Sequence, residues 1–252
     1  MKHLTKISAV NAILIFLLLF SQSCGDKNSA SGNFQGTLTY VQNVQVSKAF
    51  LDMGMTREMV LDKMKQQGAW SDTIKISYNQ AGDYRISLQN EKQSYKIYRA
   101  DSNKIYIFNE GKNSEQCTLV EAVDFDMSGA VDTPEITSID TAVAIGGVNC
   151  SVLRIQWKLG RIDYYYDSTQ MRIDPAIFTR HSSEGWSGFL NKSKSLPFGI
   201  RKDVMGMSMV QTLTASKAEE VSPDLFAVPA LISDETLNPM KIPGIKVKRV
   251  RK

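Results

Sequence analysis

Few residues in this chain have types and spacing suited to chemistry. It has two histidines, His3 and His181. Away from the N-terminal leader, a Ser-His or Cys-His hydrolase would have to run through His181 alone. His181 lies among Thr179, Arg180, Ser182, Ser183 and Glu184, which reads as an exposed loop. Gly185-Trp186-Ser187-Gly188 lacks the spacing of the G-x-S-x-G nucleophile elbow. Carboxylates are plentiful, but no spacing fixes an acid–base pair, and neither a P-loop nor a dinucleotide fingerprint is present. We therefore expect no enzyme and no cofactor.

Three other groups can bind rather than react. The run D-F-D-M-S-G-A-V-D-T-P-E puts Asp124, Asp126, Ser128, Asp132 and Glu135 at calcium-loop oxygen positions, with Gly129 at the sharp turn. The strand-like Cys117-Thr118-Leu119-Val120 ahead of it and Pro134 near its end favour a solvated acidic loop, so no metal is expected. Met205, Met207 and Met209 recur at strand period, which puts them on one face of a sheet. Together with Met55, Met59, Met64, Trp157 and Tyr165 they can line an adaptable apolar pocket, although a Met-rich packed core is the more ordinary use of such residues. Cys117 and Cys150 sit in strand-like segments on either side of an irregular stretch. In an oxidising compartment they either pair as a disulfide or remain two thiols, and spacing does not decide between these. A metal pair is disfavoured by the lone histidine and the lack of a C-x-x-C.

The N-terminus suggests where the chain works. Lys2 and Lys6 are followed by a nearly continuous apolar run, Val10 to Phe20, then Ser21-Gln22-Ser23 and Cys24. This is the layout of a secretory signal over residues 1–23. The run falls short of the ~20 residues that span a bilayer. A cysteine behind a small residue at this place resembles the lipobox of bacterial lipoproteins, with Ser21 where Leu is usual. That resemblance implies cleavage before Cys24, lipid on its thiol, and a protein anchored in the cell envelope facing the periplasm or the cell surface. Residues 24–33 read as a flexible tether. The formal charge is +4, from 30 Lys+Arg against 26 Asp+Glu. Losing Lys2 and Lys6 brings the body nearer neutral, which argues against nucleic acid as a partner. The basic tail, 233–252, reads as a solvated end able to touch anionic lipid headgroups.

Between the ends, residues 34–232 read as one mainly β domain. Phe34–Val46 is strand-like. A helical island follows, capped by Thr56, with Glu58 in its first turn and Gly68 at its end. Thr73–Asn79, Asp83–Gln89, Ser94–Arg99, Lys104–Asn109 and Gln116–Ala122 form a meander with short turn-forming connectors. Tyr95 to Tyr98 and Ile105 to Phe108 are apolar on both faces, so one face meets a core and the other is covered or binds something. Residues 123–144 read as irregular and acidic. Strands resume at Cys150–Lys158 and Arg161–Asp167, an excursion runs from Asp174-Pro175 through Trp186 to Ser195, and Leu196–Asp203 and Met207–Ala215 close the sheet. Leu225 to Pro229 reads as a last apolar plug.

Several features recur together: Ile145-Gly146-Gly147-Val148-Asn149-Cys150, Tyr164-Tyr165-Tyr166, Asp174-Pro175, Trp186, Leu196-Pro197-Phe198 and Asp224-Leu225-Phe226-Ala227-Val228-Pro229. The set resembles a family of bacterial exported proteins with a domain of unknown function, akin in architecture to the lipoprotein-localisation and lipoprotein-carrier half-barrels. The resemblance covers about residues 34–229. It implies an α+β, mainly β fold in which a strongly curved antiparallel sheet forms a half-barrel around one or a few helices, with an apolar concave side. It carries over no catalytic residue. The function expected is non-catalytic binding of a lipid or other hydrophobic ligand by a membrane-anchored envelope protein. The alternative is a protein–protein interaction module with a filled core.

Overall fold

The computed structural model describes residues 33–109, 116–124, 132–228 and 245–249. Strand β1, Gly36–Val46, is followed by two short helices, α1 at Lys48–Asp52 and α2 at Arg57–Gln66. Then come β2 (Thr73–Tyr78), β3 (Tyr84–Leu88), β4 (Tyr95–Arg99), β5 (Lys104–Phe108) and β6 (Gln116–Glu121). A second run holds β7 (Glu135–Ile145), β8 (Val148–Trp157) and β9 (Gly160–Tyr166). Two 3-10 turns, Pro175–Phe178 and Ser183–Gly185, lead into α3 (Trp186–Ser193), and β10 (Gly199–Val204) and β11 (Met207–Ala218) follow. After a 3-10 turn at Pro223–Phe226, the described chain ends in β12, Ile245–Arg249. No helix among the described residues is long and apolar enough to cross a membrane.

Among the described residues, twelve strands lie in one sheet, ordered β12-β6-β5-β4-β3-β2-β1-β11-β10-β9-β8-β7, and every neighbouring pair is antiparallel. The sheet is not closed, since β12 and β7 are its two edges. Its order is nonetheless cyclic: β7 runs through β11 to β1 and on to β6, and the break falls between β6 and β7. Short turns explain why neighbours in sequence pair in space. The β10–β11 hairpin turns at Met205-Gly206, with φ of 47° and 80°, and the β7–β8 hairpin at Gly146-Gly147, with φ of 57° and 83°. Positive φ at both central residues is the twist-matched hairpin geometry.

The expected meander and Thr56-capped helix are present, with the Thr56 hydroxyl accepting from the Met59 N–H at 3.3 Å. Two segments differ from expectation. Residues 123–144, read as irregular, contain most of β7. β7 is a sheet edge whose residues are mostly exposed, so it lacks the apolar alternation that marks a half-buried strand. The basic tail also contains a strand, β12, which pairs with β6 from Ile245 opposite Val120 to Arg249 opposite Gln116. Its Ile-Lys-Val-Lys alternation is the period-2 signal, masked in the sequence by the density of charge.

Alternation gives the sheet two apolar faces, each with its own cover. On the inner face, Leu38, Tyr40, Ile76, Tyr98, Leu153, Ile155 and Tyr164 join Phe178, Trp186, Phe189 and Leu190 in one core. At roughly 1.5–3 kcal/mol per buried large side chain, this is the main stabilising element of the fold. On the outer face of β4 to β6, Tyr95, Ile97, Phe108 and Cys117 pack under Val221 and Phe226. The apolar plug around Phe226 is therefore what covers the second face of the meander. Arginines hold it there: Arg85 lies 3.9 Å over the Tyr95 ring and donates to the Leu225 carbonyl at 3.3 Å, and Arg99 donates to the Phe226 carbonyl at 3.3 Å.

Candidate functional site

The inner face is filled at one end and open at the other. The filled end is built around His181, which is 3% exposed. Its Nε2 and the Tyr84 hydroxyl are hydrogen-bonded at 2.8 Å, and its ring lies 4.5 Å from Tyr98, 5.8 Å from Tyr84 and 6.3 Å from Trp186. Burial in this aromatic box lowers the imidazole to about 4, against the opposing pull of Glu184. Nδ1 has no hydrogen-bond partner among the described residues. The residue read as part of an exposed loop is thus a core group. The 178–186 segment folds inward because Phe178 and Trp186 on either side of it are buried. A phenol, rather than a serine or cysteine, stands at its Nε2.

At the open end, Lys96 of β4 sits in register between Ile86 of β3 and Ile107 of β5. Lys96 is exposed, and both isoleucines are partly exposed. Alternation places Lys96 on the same face as the core residue Tyr98, where Lys202 of β10, opposite Met209 of β11 and Ile162 of β9, also points. Glu184 pairs with the second of these lysines. Its carboxylate takes the Lys202 ammonium at 2.5 and 2.6 Å. Its backbone is left-handed at φ 59°, ψ 22°, a conformation that costs a non-glycine residue roughly 1–3 kcal/mol. Two further bonds hold it there: its N–H donates to the Asp124 carboxylate at 2.7 Å, and its carbonyl accepts from the Tyr164 hydroxyl at 2.9 Å. Beside these charges, Gln211 donates to the Gln42 side chain at 2.9 Å.

The structure scatters the apolar residues expected to share one pocket. Met64 and Met209 pack against Val44, Leu61 and Trp70, a small cluster under α2 next to Lys202. Met205 is in the hairpin turn rather than on the strand, so strand alternation does not carry it; it is 61% exposed. Met205 and Met207 line a shallow recess of about 360 Å³ at that turn, beside Ser47 and Arg201. Met55 is partly buried and Met59 exposed on the helical side. Trp157 packs against the main core, and Tyr165, next to inner-face Tyr164, points to the outer face. The signals that sequence reasoning missed are Lys96 and Lys202, single lysines in otherwise apolar inward registers.

The disulfide reading is corrected, and part of the acidic loop is placed. Cys117 and Cys150 are not bridged: both are buried free thiols, on β6 and β8. In the sheet order β5, β4, β3, β2, β1, β11, β10 and β9 lie between those strands, so sequence proximity to one irregular stretch did not bring them together. Burial pushes the Cys117 thiol up to about 11. Of the calcium-loop candidates, Asp126 and Ser128 lie outside the described residues, as does the lipidation candidate Cys24. Asp124 accepts from the Glu184 and Gly185 N–H groups, and Glu135 opens β7. Among the described residues no group of three or more His, Cys, Asp or Glu is placed to hold a metal ion.

No family model and no curated protein matches the chain. Among solved structures, PNGF-II in its C2 crystal form is similar over 76% of this chain at 13% identity and a TM-score of 0.39. The match spans 29% of that protein's length, and a likeness this slight informs neither fold nor function.

Proposed function

We propose that the chain is a lipid-anchored, non-catalytic protein of the bacterial envelope that holds a hydrophobic ligand on the open half of its inner sheet face. The sheet is then a half-barrel broken between β6 and β7, with the 178–193 segment as its plug. One observation supports that curvature. On a flat sheet β4 and β9 would lie about 29 Å apart. Yet Tyr98 on β4 and Tyr164 on β9 are joined by three ring-to-ring steps of 4.5, 6.3 and 5.9 Å through His181 and Trp186. The observation that carries the binding reading is the incomplete filling of this face: aromatic rings pack the Tyr84–Tyr98 row, while Ile86 and Ile107 remain partly open beside it. Partly open apolar residues on a concave face are what a ligand with an aliphatic part would cover. Lipid on Cys24 would tether the domain to a membrane surface.

The test is native mass spectrometry of the chain carrying Cys24→Ser, exported and purified without detergent. An added mass that leaves on solvent extraction supports the reading. A bare polypeptide mass, together with no binding of added 1-decanol, overturns it. A second reading, docking of an envelope protein, draws on the exposed Leu51 of α1 and Met53 just after it, and on Val204 and Met205 at the β10–β11 turn. These two elements adjoin, with the Phe50 ring lying against Gly206.

A further inference from the structure

We infer that the end of the sheet formed by α1 and the β8–β9 and β10–β11 turns rests on an anionic lipid surface. Among the described residues eight large hydrophobic side chains are exposed, and five of them belong to this end. They are Leu51 of α1, Met53 just after it, Leu159 of the β8–β9 turn, and Val204 and Met205 at the β10–β11 turn. Contacts make the group contiguous. Gly160 is opposite Val204, so close that an added Cβ would stand 2.9 Å from the valine side chain. Val204 pairs with Met207, and Met207 with Val46 at the end of β1. The Ser47 N–H donates to the Gly206 carbonyl at 2.7 Å, and the Phe50 ring lies against Gly206. Helix α1 is five residues long and buries none of them. A helix that short is marginal in water on its own. An apolar phase that takes in Leu51 and Met53 steadies it.

Shape and charge favour a lipid surface over a protein. A protein partner needs pockets for its anchoring side chains, and the recess at this end is shallow, with the exposed Met205 on its wall. Projecting apolar residues need no matching cavity to enter the headgroup layer of a bilayer. Across residues 45–58, 157–161 and 201–208, Lys202 is turned to the inner face and held there by Glu184. The remaining charges are five cations, Lys48, Arg57, Lys158, Arg161 and Arg201, against three anions, Asp52, Glu58 and Asp203, a balance of +2. The next pair inward, Arg154 with Asp163, is neutral. Asp203 is shared by Arg161 at 2.9 Å and Arg201 at 3.0 Å. Lys158, exposed beside Leu159, has no ion-pair partner among the described residues. An apolar tip ringed by an excess of cations is complementary to anionic headgroups over acyl chains. Lipid on Cys24, as proposed, would keep a bilayer within about 32 Å of Asn33, the reach of the extended chain between them. β1 runs about 36 Å from that end of the sheet to this one, so the strands would incline toward the membrane.

The experiment is flotation of the full chain carrying Cys24→Ser, exported and purified without detergent, with vesicles of phosphatidylethanolamine and phosphatidylglycerol and, separately, of phosphatidylcholine alone. Binding to the anionic vesicles is expected, with weaker binding to the neutral ones. Leu51→Ser, Met53→Ser and Met205→Ser combined should weaken it at least about tenfold, because three side chains lose an apolar phase. Lys158→Ala should weaken it about fivefold on the anionic vesicles and leave the neutral ones unchanged. All four positions are exposed, so the urea midpoint of each variant should match the parent. No binding to the anionic vesicles would overturn the inference, and so would binding that the triple variant leaves intact. Self-association abolished by the triple variant, in place of vesicle binding, would overturn it in favour of a second copy of the chain. None of these outcomes bears on the inner face, whose ligand is read by native mass spectrometry.

Discussion

The buried imidazole of His181 makes the fold sensitive to mild acid, and the size of the effect follows from its surroundings. In the folded chain burial holds it at about 4, against an ordinary 6.5. Its surroundings give it no compensating anion in contact: Tyr84, Tyr98, Phe178 and Trp186 pack against it, and Glu184, whose charge favours protonation, is turned to Lys202. Because the folded value lies below the unfolded one, the unfolded chain binds the extra proton between pH 6.5 and 4. Stability is therefore full above about pH 6.5 and falls as pH drops toward 4, by up to about 1.4 kcal/mol per pH unit. Between pH 7.5 and pH 5 the loss is about 2 kcal/mol, a large part of the 5–15 kcal/mol typical of a domain. Urea unfolding at a series of pH values in that window reads it directly, above the range where most carboxylates titrate. His181→Gln keeps a polar partner for the Tyr84 hydroxyl and removes the titration. Its unfolding free energy should be nearly flat over the window. Equal pH slopes in the parent and His181→Gln would refute the reasoning, because the imidazole would then not be the group that gains the proton.

Phe226 is fully buried over Tyr95, Ile97 and Phe108, so Phe226→Ala should cost about 3–5 kcal/mol in urea unfolding, and a change under 1 kcal/mol would show that the segment is not the cover described. Cys117 and Cys150 should react with a thiol reagent only after denaturation and without added reductant; absence of both thiols there would mean a bridge. Loosening the cover should expose one of them, so Phe226→Ala should speed modification of Cys117 more than of Cys150, read by peptide mapping. Cys24→Ser should move the chain from the membrane to the soluble fraction on cell fractionation, and retention in the membrane would contradict lipid anchoring through that residue.

The strands of the two meanders could be read before any coordinates, because turn residues and β-branched or aromatic runs are local signals that need no partner to be visible. Thr56 was legible as a cap for the same reason: its hydroxyl serves an N–H three residues on. The double-sided apolar character of Tyr95 to Tyr98 rightly required two covers, but the sequence could not tell a covering segment from a ligand. Which one it is depends on residues 221–228 returning across a distance of more than a hundred residues. β7 was hidden because an exposed edge places no apolar demand on its residues. The fate of the cysteines, the burial of His181 and the meeting of Glu184 and Lys202 were set by strand order and by the inward turn of the 178–193 segment. These are long-range pairings, and spacing along a chain holds no information about them. By itself the sequence determined most of the strands, the capped helix and the apolar faces. Only the tertiary structure decided which of those faces is full and which is open, because filling depends on what packs there from elsewhere in the chain.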